Sequence, residues 1–95
     1  MATIEEKFNK NVEKIHKMNQ RPSDDELLEL YGLFKQAMYN DNNTQKPYFY
    51  EIKATKKWNA WNEKKGLHKL TAMKMYNNLC DDLYKKYNNK FFINE

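Results

Sequence analysis

Apolar side chains recur three or four residues apart in four separate segments of this chain, with charged or amide side chains between them. This period is typical of amphipathic helices, because three or four residues advance a helix by about one turn. The 95 residues include only two glycines and two prolines. Such a composition leaves few breaks for the many turns of a β fold. The pattern therefore predicts an all-α chain.

The predicted helices begin and end at recognisable signals. They run from Ile4 to Met18, from the Ser23 cap to Met38, from Ile52 to the basic pair before Gly66, and from Lys69 to Tyr87. Ser23 and Glu26 form a capping box, and Pro22 ends the first helix. Gly32 lies inside the second helix and suggests a close approach by another helix or a ligand.

The segments between and beyond these helices are short, with one exception. Residues 40–47 are rich in Asn and Asp and close with a proline, so we expect a loop that extends as far as Tyr50. A connection of this length allows the second and third helices to run in parallel. The apolar run Phe91-Phe92-Ile93 is expected either to pack back on the helices or to fray.

Size and charge limit the function without identifying it. The length suits one domain over residues 1–95 with one modest core. The net charge of +4 favours an anionic partner, such as a nucleotide, a phospholipid headgroup or a nucleic acid. The lone cysteine, Cys80, excludes an internal disulfide and is expected to be buried. With neither a secretory signal nor a membrane-length apolar run, we expect a cytoplasmic protein.

The sequence offers no catalytic or metal-binding constellation. His16 and His68 lie in different segments, and neither has the spacing of a zinc site. Two glycines so far apart cannot form a phosphate-binding loop or a nucleophile elbow. We therefore expect no enzyme activity, no metal and no cofactor.

One set of lysines and aromatic residues is a candidate anion site. Tyr31 and Lys35 are neighbours on one helix face, and so are Lys53 and Lys57. If three helices share a rim, the set provides ammonium groups for phosphates and rings for a base. Its members are Tyr31, Phe34, Lys35, Lys53, Lys57 and Tyr76. On pattern alone, phenols at helical spacing are more often core residues, and paired lysines more often form a solvated face.

Four sequence stretches resemble one known family. They are PSDDELLELYGLFKQA over residues 22–37, DNNTQKP over 41–47, KWNAWN over 57–62 and AMKMY over 72–76. Together they are similar to the signature of the acyl-CoA-binding protein family, and the similarity extends without gaps from about Phe8 to Tyr87.

The resemblance implies a fold and a site. The fold is an up-down-down-up four-helix bundle, the acyl-CoA-binding protein fold. The residues it implies for the nucleotide end of coenzyme A are Tyr31, Lys35, Lys57 and Tyr76. Phe34 occupies a position where the family has an aromatic residue, often tyrosine. Lys53 occupies a position that can be basic in relatives, and His16 one where relatives often have lysine. For the acyl tail, we expect apolar side chains such as Val12, Leu28 and Met38 to line a groove.

Some positions depart from the family pattern. Asn77 stands where relatives have an aliphatic residue, which predicts a weaker contact between the first and fourth helices. Asn40 replaces a usual glycine, and with Met38 it leaves the turn after the second helix undetermined. Leu67 and His68 replace a polar helix start, which predicts a poorer cap for the fourth helix.

The function this implies is non-covalent binding of medium- to long-chain acyl-CoA esters, by an intracellular carrier and pool former in lipid metabolism. The expected partners are the acyl-CoA ligand and, transiently, membranes or acyl-CoA-using enzymes, with no nucleic acid and a monomeric state. The alternative is a basic helical module that binds nucleic acid or protein.

Overall fold

A computed structural model describes residues 2–87, and four α-helices make up most of this part of the chain. The helices are α1 (Ile4–Lys14), α2 (Asp24–Tyr39), α3 (Ile52–Asn62) and α4 (Lys69–Lys86), and a 3₁₀ turn, Ile15–Lys17, follows α1. Residues 2–87 contain no strand, and the predicted all-α class is confirmed. The expectation for the apolar run 91–93 lies outside the described residues.

Capping boxes begin the first two helices. At α2, the Glu26 N–H donates to Ser23 Oγ at 3.2 Å and the Ser23 N–H donates to Glu26 Oε1 at 2.8 Å, which confirms the predicted box. At α1, Thr3 and Glu6 form the same pair of bonds, at 3.1 and 2.9 Å. The spacing Thr-x-x-Glu signals this second box as clearly as the first.

The fourth helix begins at a histidine. The prediction of a poorer cap at this position is wrong, because His68 Nδ1 accepts a hydrogen bond from the Leu70 N–H at 3.1 Å. An aromatic nitrogen thus satisfies one of the backbone amides that a helix start leaves without a partner.

The core lies where α4 packs on α1 and on α2. Phe8 is central: its ring meets Tyr76 edge-on at 5.0 Å between centroids and stacks on Phe34 at 6.3 Å. Cys80 is fully buried, as predicted. The buried hydrophobic set is Phe8, Ile15, Leu30, Leu33, Ala37, Ala72, Met73, Tyr76, Cys80 and Leu83.

Pairwise contacts give the helix directions. Along α1 and α4, Ile4 lies near Asn77 and Lys7 near Asp81, so these two helices run the same way. α2 runs against α4, because Glu26 near its start bonds Lys86 at the end of α4. With the long connection before α3, this is the up-down-down-up bundle that the resemblance implied.

A polar network joins α1 to α4 where an apolar contact was expected. Asn11 Nδ2 donates to Asn77 Oδ1 at 2.9 Å, and the Tyr84 hydroxyl lies 3.0 Å from Asn11 Oδ1. Asn77 Nδ2 also lies 3.3 Å from the Ile4 carbonyl. The prediction of a weaker contact at Asn77 overlooked Asn11, which provides this buried amide with a partner.

The connection between α2 and α3 is fastened by the two tryptophans of α3. Trp61 Nε1 donates to the Asn40 carbonyl at 2.8 Å, and Trp58 Nε1 donates to the Thr44 carbonyl at 3.1 Å. Asn40 has a φ of 66° and a ψ of −151°, a conformation that residues other than glycine rarely adopt, so glycine would be the less strained residue at this position.

Gly32 is the point where α3 comes closest to α2. A Cβ atom at this position would lie 2.3 Å from the carbonyl oxygen of Ala60, a distance that no real contact allows. The missing side chain therefore lets the backbone of α3 at Ala60 approach the backbone of α2 directly. This contact sets the spacing between Tyr31 on α2 and Lys57 on α3.

Candidate ligand-binding site

An open groove of about 260 Å³ lies between α1, α2 and α4. Most of its lining is aliphatic or aromatic carbon, and a histidine and two phenols complete it. The lining residues are Val12, Ile15, His16, Leu27, Leu30, Tyr31, Phe34 and Tyr76.

The local structure explains why these side chains meet. The end of α1 and the 3₁₀ turn provide Val12, Ile15 and His16 from consecutive turns of one face. α2 adds Leu27 and, one turn later, the neighbours Leu30 and Tyr31, followed after another turn by Phe34, which places all four on a common side. Tyr76 comes from the middle of α4 and forms part of the floor, because it is nearly fully buried.

Two lysines stand beside one of the groove's phenols. Lys57 Nζ on α3 lies 5.3 Å from the centre of the Tyr31 ring, and Lys35 Nζ on α2 lies 5.9 Å from it. Lys35 Nζ also lies 4.4 Å from the Tyr39 ring and 4.7 Å from the Trp61 ring. Ammonium groups over aromatic faces are attracted by the ring quadrupole, so the rings hold these cations in position.

Burial keeps the Tyr76 phenol protonated. Loss of solvent raises the pKa of Tyr76 well above its ordinary value, and the nearby Cys80 thiol raises it further. The phenol of Tyr76, which lines the groove, therefore stays neutral and able to donate a hydrogen bond even at alkaline pH.

The structure thus brings together six of the eight residues that the sequence analysis proposed. His16, Tyr31, Phe34 and Tyr76 line the groove, and Lys35 and Lys57 flank its Tyr31 end. Lys53 is exposed one turn before Lys57, and Leu28 is half-buried on α2; neither lines the groove.

The apolar residues that line the groove are not all the ones expected from the sequence. Val12 lines it, whereas Met38 lies in a separate, more polar cleft beside Met73. Ile15, Leu27 and Leu30 line the groove and were not proposed. Their helical spacing was visible in the sequence, but spacing alone does not separate a groove wall from a core position.

No group of three or more His, Cys, Asp or Glu side chains within residues 2–87 could hold a metal ion. None of the described helices has the length and apolar character needed to cross a membrane.

Comparison with known sequences assigns the family. The family described as "Acyl CoA binding protein" matches residues 5–80. The chain belongs to the acyl-CoA-binding protein family. Among curated members, a Drosophila melanogaster acyl-CoA-binding protein homolog is 44% identical over 84 residues, 88% of this chain and 98% of the relative. Acyl-CoA-binding protein homolog 1 of Caenorhabditis elegans is 53% identical over 66 residues, 70% of this chain and 77% of the relative.

Solved structures of the acyl-CoA-binding protein family share the fold. Acyl-CoA-binding protein 2 of Oryza sativa superposes with a TM-score of 0.86 at 30% identity, covering 90% of this chain and 96% of its own. The protein from Moniliophthora perniciosa gives 0.84 at 30% identity, with coverage of 93% and 85%. The family is one of binding proteins, which agrees with the expectation that the chain is not an enzyme.

Proposed function

We propose that this chain binds acyl-CoA thioesters without forming a covalent bond. The observation that carries the proposal is the position of Tyr31, whose side chain lines the apolar groove and also lies beside Lys35 and Lys57. A ligand with an anionic head and an apolar tail fits such a boundary, and acyl-CoA has both. The family of the chain points to the same ligand.

The head of the ligand is assigned to the cations. Coenzyme A carries phosphate groups, and hydrogen bonds to charged groups contribute about 1.5–3 kcal/mol each. Lys35 and Lys57 come from two helices, so they approach a phosphate from different sides. Lys53, one turn from Lys57 on α3, adds a third cation at the exposed end of this rim.

The tail is assigned to the groove. Each buried methylene contributes up to about 0.8 kcal/mol, and association itself costs an estimated 4–15 kcal/mol. Coenzyme A alone should therefore bind weakly, and a medium- or long-chain thioester should bind much more tightly. Leu28 is half-buried on α2 but lies outside the groove lining, so the tail is assigned to Val12, Ile15, Leu27 and Leu30.

The biological role follows from binding the head of the ligand at the lysines and its tail in the groove. We propose a monomeric cytoplasmic carrier and pool former, which keeps a detergent-like thioester away from membranes until it meets an acyl-CoA-using enzyme. Contacts with membranes and enzymes would be transient, since the ligand has to be passed on.

Calorimetric titration with palmitoyl-CoA, coenzyme A and palmitate tests the binding itself. The expected order places palmitoyl-CoA far above the other two ligands, because only it uses both the lysines and the groove. Equal affinity for all three ligands would contradict the proposal. An oligonucleotide that competes with palmitoyl-CoA, with a steep salt dependence, would favour a nucleic-acid site instead.

A further inference from the structure

The turn between Pro47 and α3 exposes apolar side chains that neither the core nor the groove uses. Tyr48, Phe49 and Tyr50 are consecutive and have exposed fractions of 66%, 90% and 65%, and Ile52, the first residue of α3, is 65% exposed. We call these four residues the aromatic patch. Contiguous exposed apolar surface on a small protein marks a site of interaction.

This turn is closed by its own hydrogen bonds. The Glu51 N–H donates to the Tyr48 carbonyl at 2.9 Å, and the Tyr48 N–H donates to Glu51 Oε2 at 3.1 Å. Phe49 and Tyr50 therefore occupy the central positions of a tight turn, where glycine, proline, asparagine and aspartate are usual. The backbone does not call for aromatic residues here, so their role lies in what they contact.

The rings pack on one another instead of on the core. Tyr48 and Tyr50 stack at 5.6 Å between centroids with their planes 4° apart, and Phe49 meets Tyr50 edge-on at 5.5 Å. The stack fixes the rings in place while leaving their outer faces exposed. Because these ring contacts already restrict the side chains, docking in this arrangement costs less side-chain entropy.

Lysines flank the patch on both sides in the sequence. Lys46 precedes it, and three lysines follow on the first turns of α3, all of them exposed: Lys53, Lys56 and Lys57. The only acidic residue between positions 46 and 57 is Glu51. Four lysines and one glutamate give this segment a net charge of +3, out of +4 for the whole chain.

This combination selects one kind of partner. Protein interfaces are depleted in lysine, whereas four lysines flank this patch in the sequence. At a membrane surface, tyrosine rings settle at the headgroup level and lysine stems extend toward the phosphates. Anionic lipids attract each nearby lysine in addition. We propose that the aromatic patch docks this protein on membranes that contain anionic phospholipid.

The proposal specifies the membrane contact of the proposed carrier, and its biological meaning rests on that function. α3 carries Lys53 and Lys57 of the candidate site, and it begins within the aromatic patch at Ile52. Docking through the patch therefore brings the lysines proposed to bind the phosphates of coenzyme A toward the lipid surface, where acyl-CoA partitions.

Co-sedimentation of the ligand-free protein with vesicles tests the docking. Vesicles of phosphatidylcholine with phosphatidylserine should bind the protein more tightly than phosphatidylcholine alone, and added salt should remove the difference. Phe49→Ser should lower binding to both vesicle types by about tenfold or more, as expected when a large ring no longer leaves water. Lys56→Gln should lower binding to the phosphatidylserine vesicles alone, by about fivefold.

Matched variants outside the patch serve as controls. Met75→Gln removes another exposed apolar side chain, and Lys74→Gln another exposed lysine, both on α4. Each should bind vesicles like the unchanged protein. Phe49→Ser should also keep its helical circular dichroism and its affinity for palmitoyl-CoA in solution, because the patch is separate from the groove.

Three outcomes would overturn the docking. They are no binding of the unchanged protein to either vesicle, equal binding by Phe49→Ser, and a dimer in solution that Phe49→Ser abolishes. The last would show that the patch joins two copies of the chain. Vesicle binding by a protein that does not bind palmitoyl-CoA would leave the docking intact and refute the carrier function, so the two proposals fail separately.

Discussion

The ammonium group of Lys57 lies 5.3 Å from the centre of the Tyr31 ring, although the two residues belong to different helices. Lys57→Gln should weaken palmitoyl-CoA binding by roughly 10- to 100-fold, the equivalent of one lost charge-assisted hydrogen bond. Calorimetry measures the affinity, and thermal unfolding checks that the exposed substitution leaves stability unchanged.

Lys74→Gln is the control for this experiment, since Lys74 is an exposed lysine of α4 outside the site. An affinity loss of the same size in both variants would mean that the ligand senses the overall charge of the protein and not a defined site.

Close contact between α2 and α3 makes Gly32 sensitive to substitution. Gly32→Ala adds a Cβ atom 2.3 Å from the Ala60 carbonyl oxygen, so a helix has to move. We expect a loss of about 1–3 kcal/mol in the free energy of unfolding, despite alanine's better helix propensity, and weaker ligand binding as Tyr31 and Lys57 separate. Urea unfolding gives the first quantity and calorimetry the second.

Gly66→Ala provides the contrast. Gly66 has a φ of +92°, and a Cβ atom there would meet nothing within 4 Å. This substitution should cost stability through backbone strain, yet leave the affinity for palmitoyl-CoA as it is. Unchanged stability of Gly32→Ala would show that the two helices are less closely held than the structure indicates.

Glu26 links stability to pH. The bond from the Lys86 ammonium, followed by those from the Tyr87 hydroxyl and the Ser23 N–H, lowers the pKa of Glu26 from 4.5 to about 2. A carboxylate with a depressed pKa in the folded state stabilises the fold above its unfolded pKa, and this contribution disappears as the pH falls. The loss should occur between about pH 4.5 and pH 2.

Thermal unfolding of Glu26→Gln at neutral pH and at pH 3 measures this linkage. The variant should lose less stability on acidification than the unchanged protein does. Asp82→Asn, which alters an exposed carboxylate of α4, should behave like the unchanged protein. Identical acid sensitivity of Glu26→Gln and the unchanged protein would disprove the contribution of this contact.

The amide pair between α1 and α4 should behave as a unit. Asn77→Ala leaves the buried Asn11 side chain without its 2.9 Å partner, so we expect a loss of about 1–3 kcal/mol in unfolding free energy. Asn11→Ala should cost a similar amount. In the double variant the losses should not add, because both single changes break the same bond. Additive losses would argue against the bond.

Much of this fold could be read from the sequence because its signals are local. The Ser23–Glu26 box, the helix periodicity and the glycine after α3 each depend on residues a few positions apart. The bond between Asn11 and Asn77 joins residues 66 positions apart, and periodicity carries no information about such a pair. The poorer cap expected at His68 followed residue-type preference and overlooked the acceptor on its ring.

The site was harder to predict from the sequence than the fold was, because it too depends on residues far apart in the chain. Tyr31 and Lys35 share a helix face, so their proximity follows from the sequence, whereas the approach of Lys57 depends on the contact at Gly32. Ile15 and Leu30 are apolar at helical spacing whether they fill a core or line a groove. Only the positions of neighbouring helices decide between these two roles.

The pairing of α1 with α4 also has a consequence for synthesis. When Asn11 is synthesised, the ribosome still has 66 residues to add before it reaches its partner Asn77. Phe8 likewise precedes its partner Tyr76 by most of the chain. At about 5–20 residues per second, the ribosome needs roughly 3–13 s to reach that point. During this interval α1 has no surface of α4 to cover its apolar side. The nascent protein therefore cannot complete its core until nearly all of α4 has been translated.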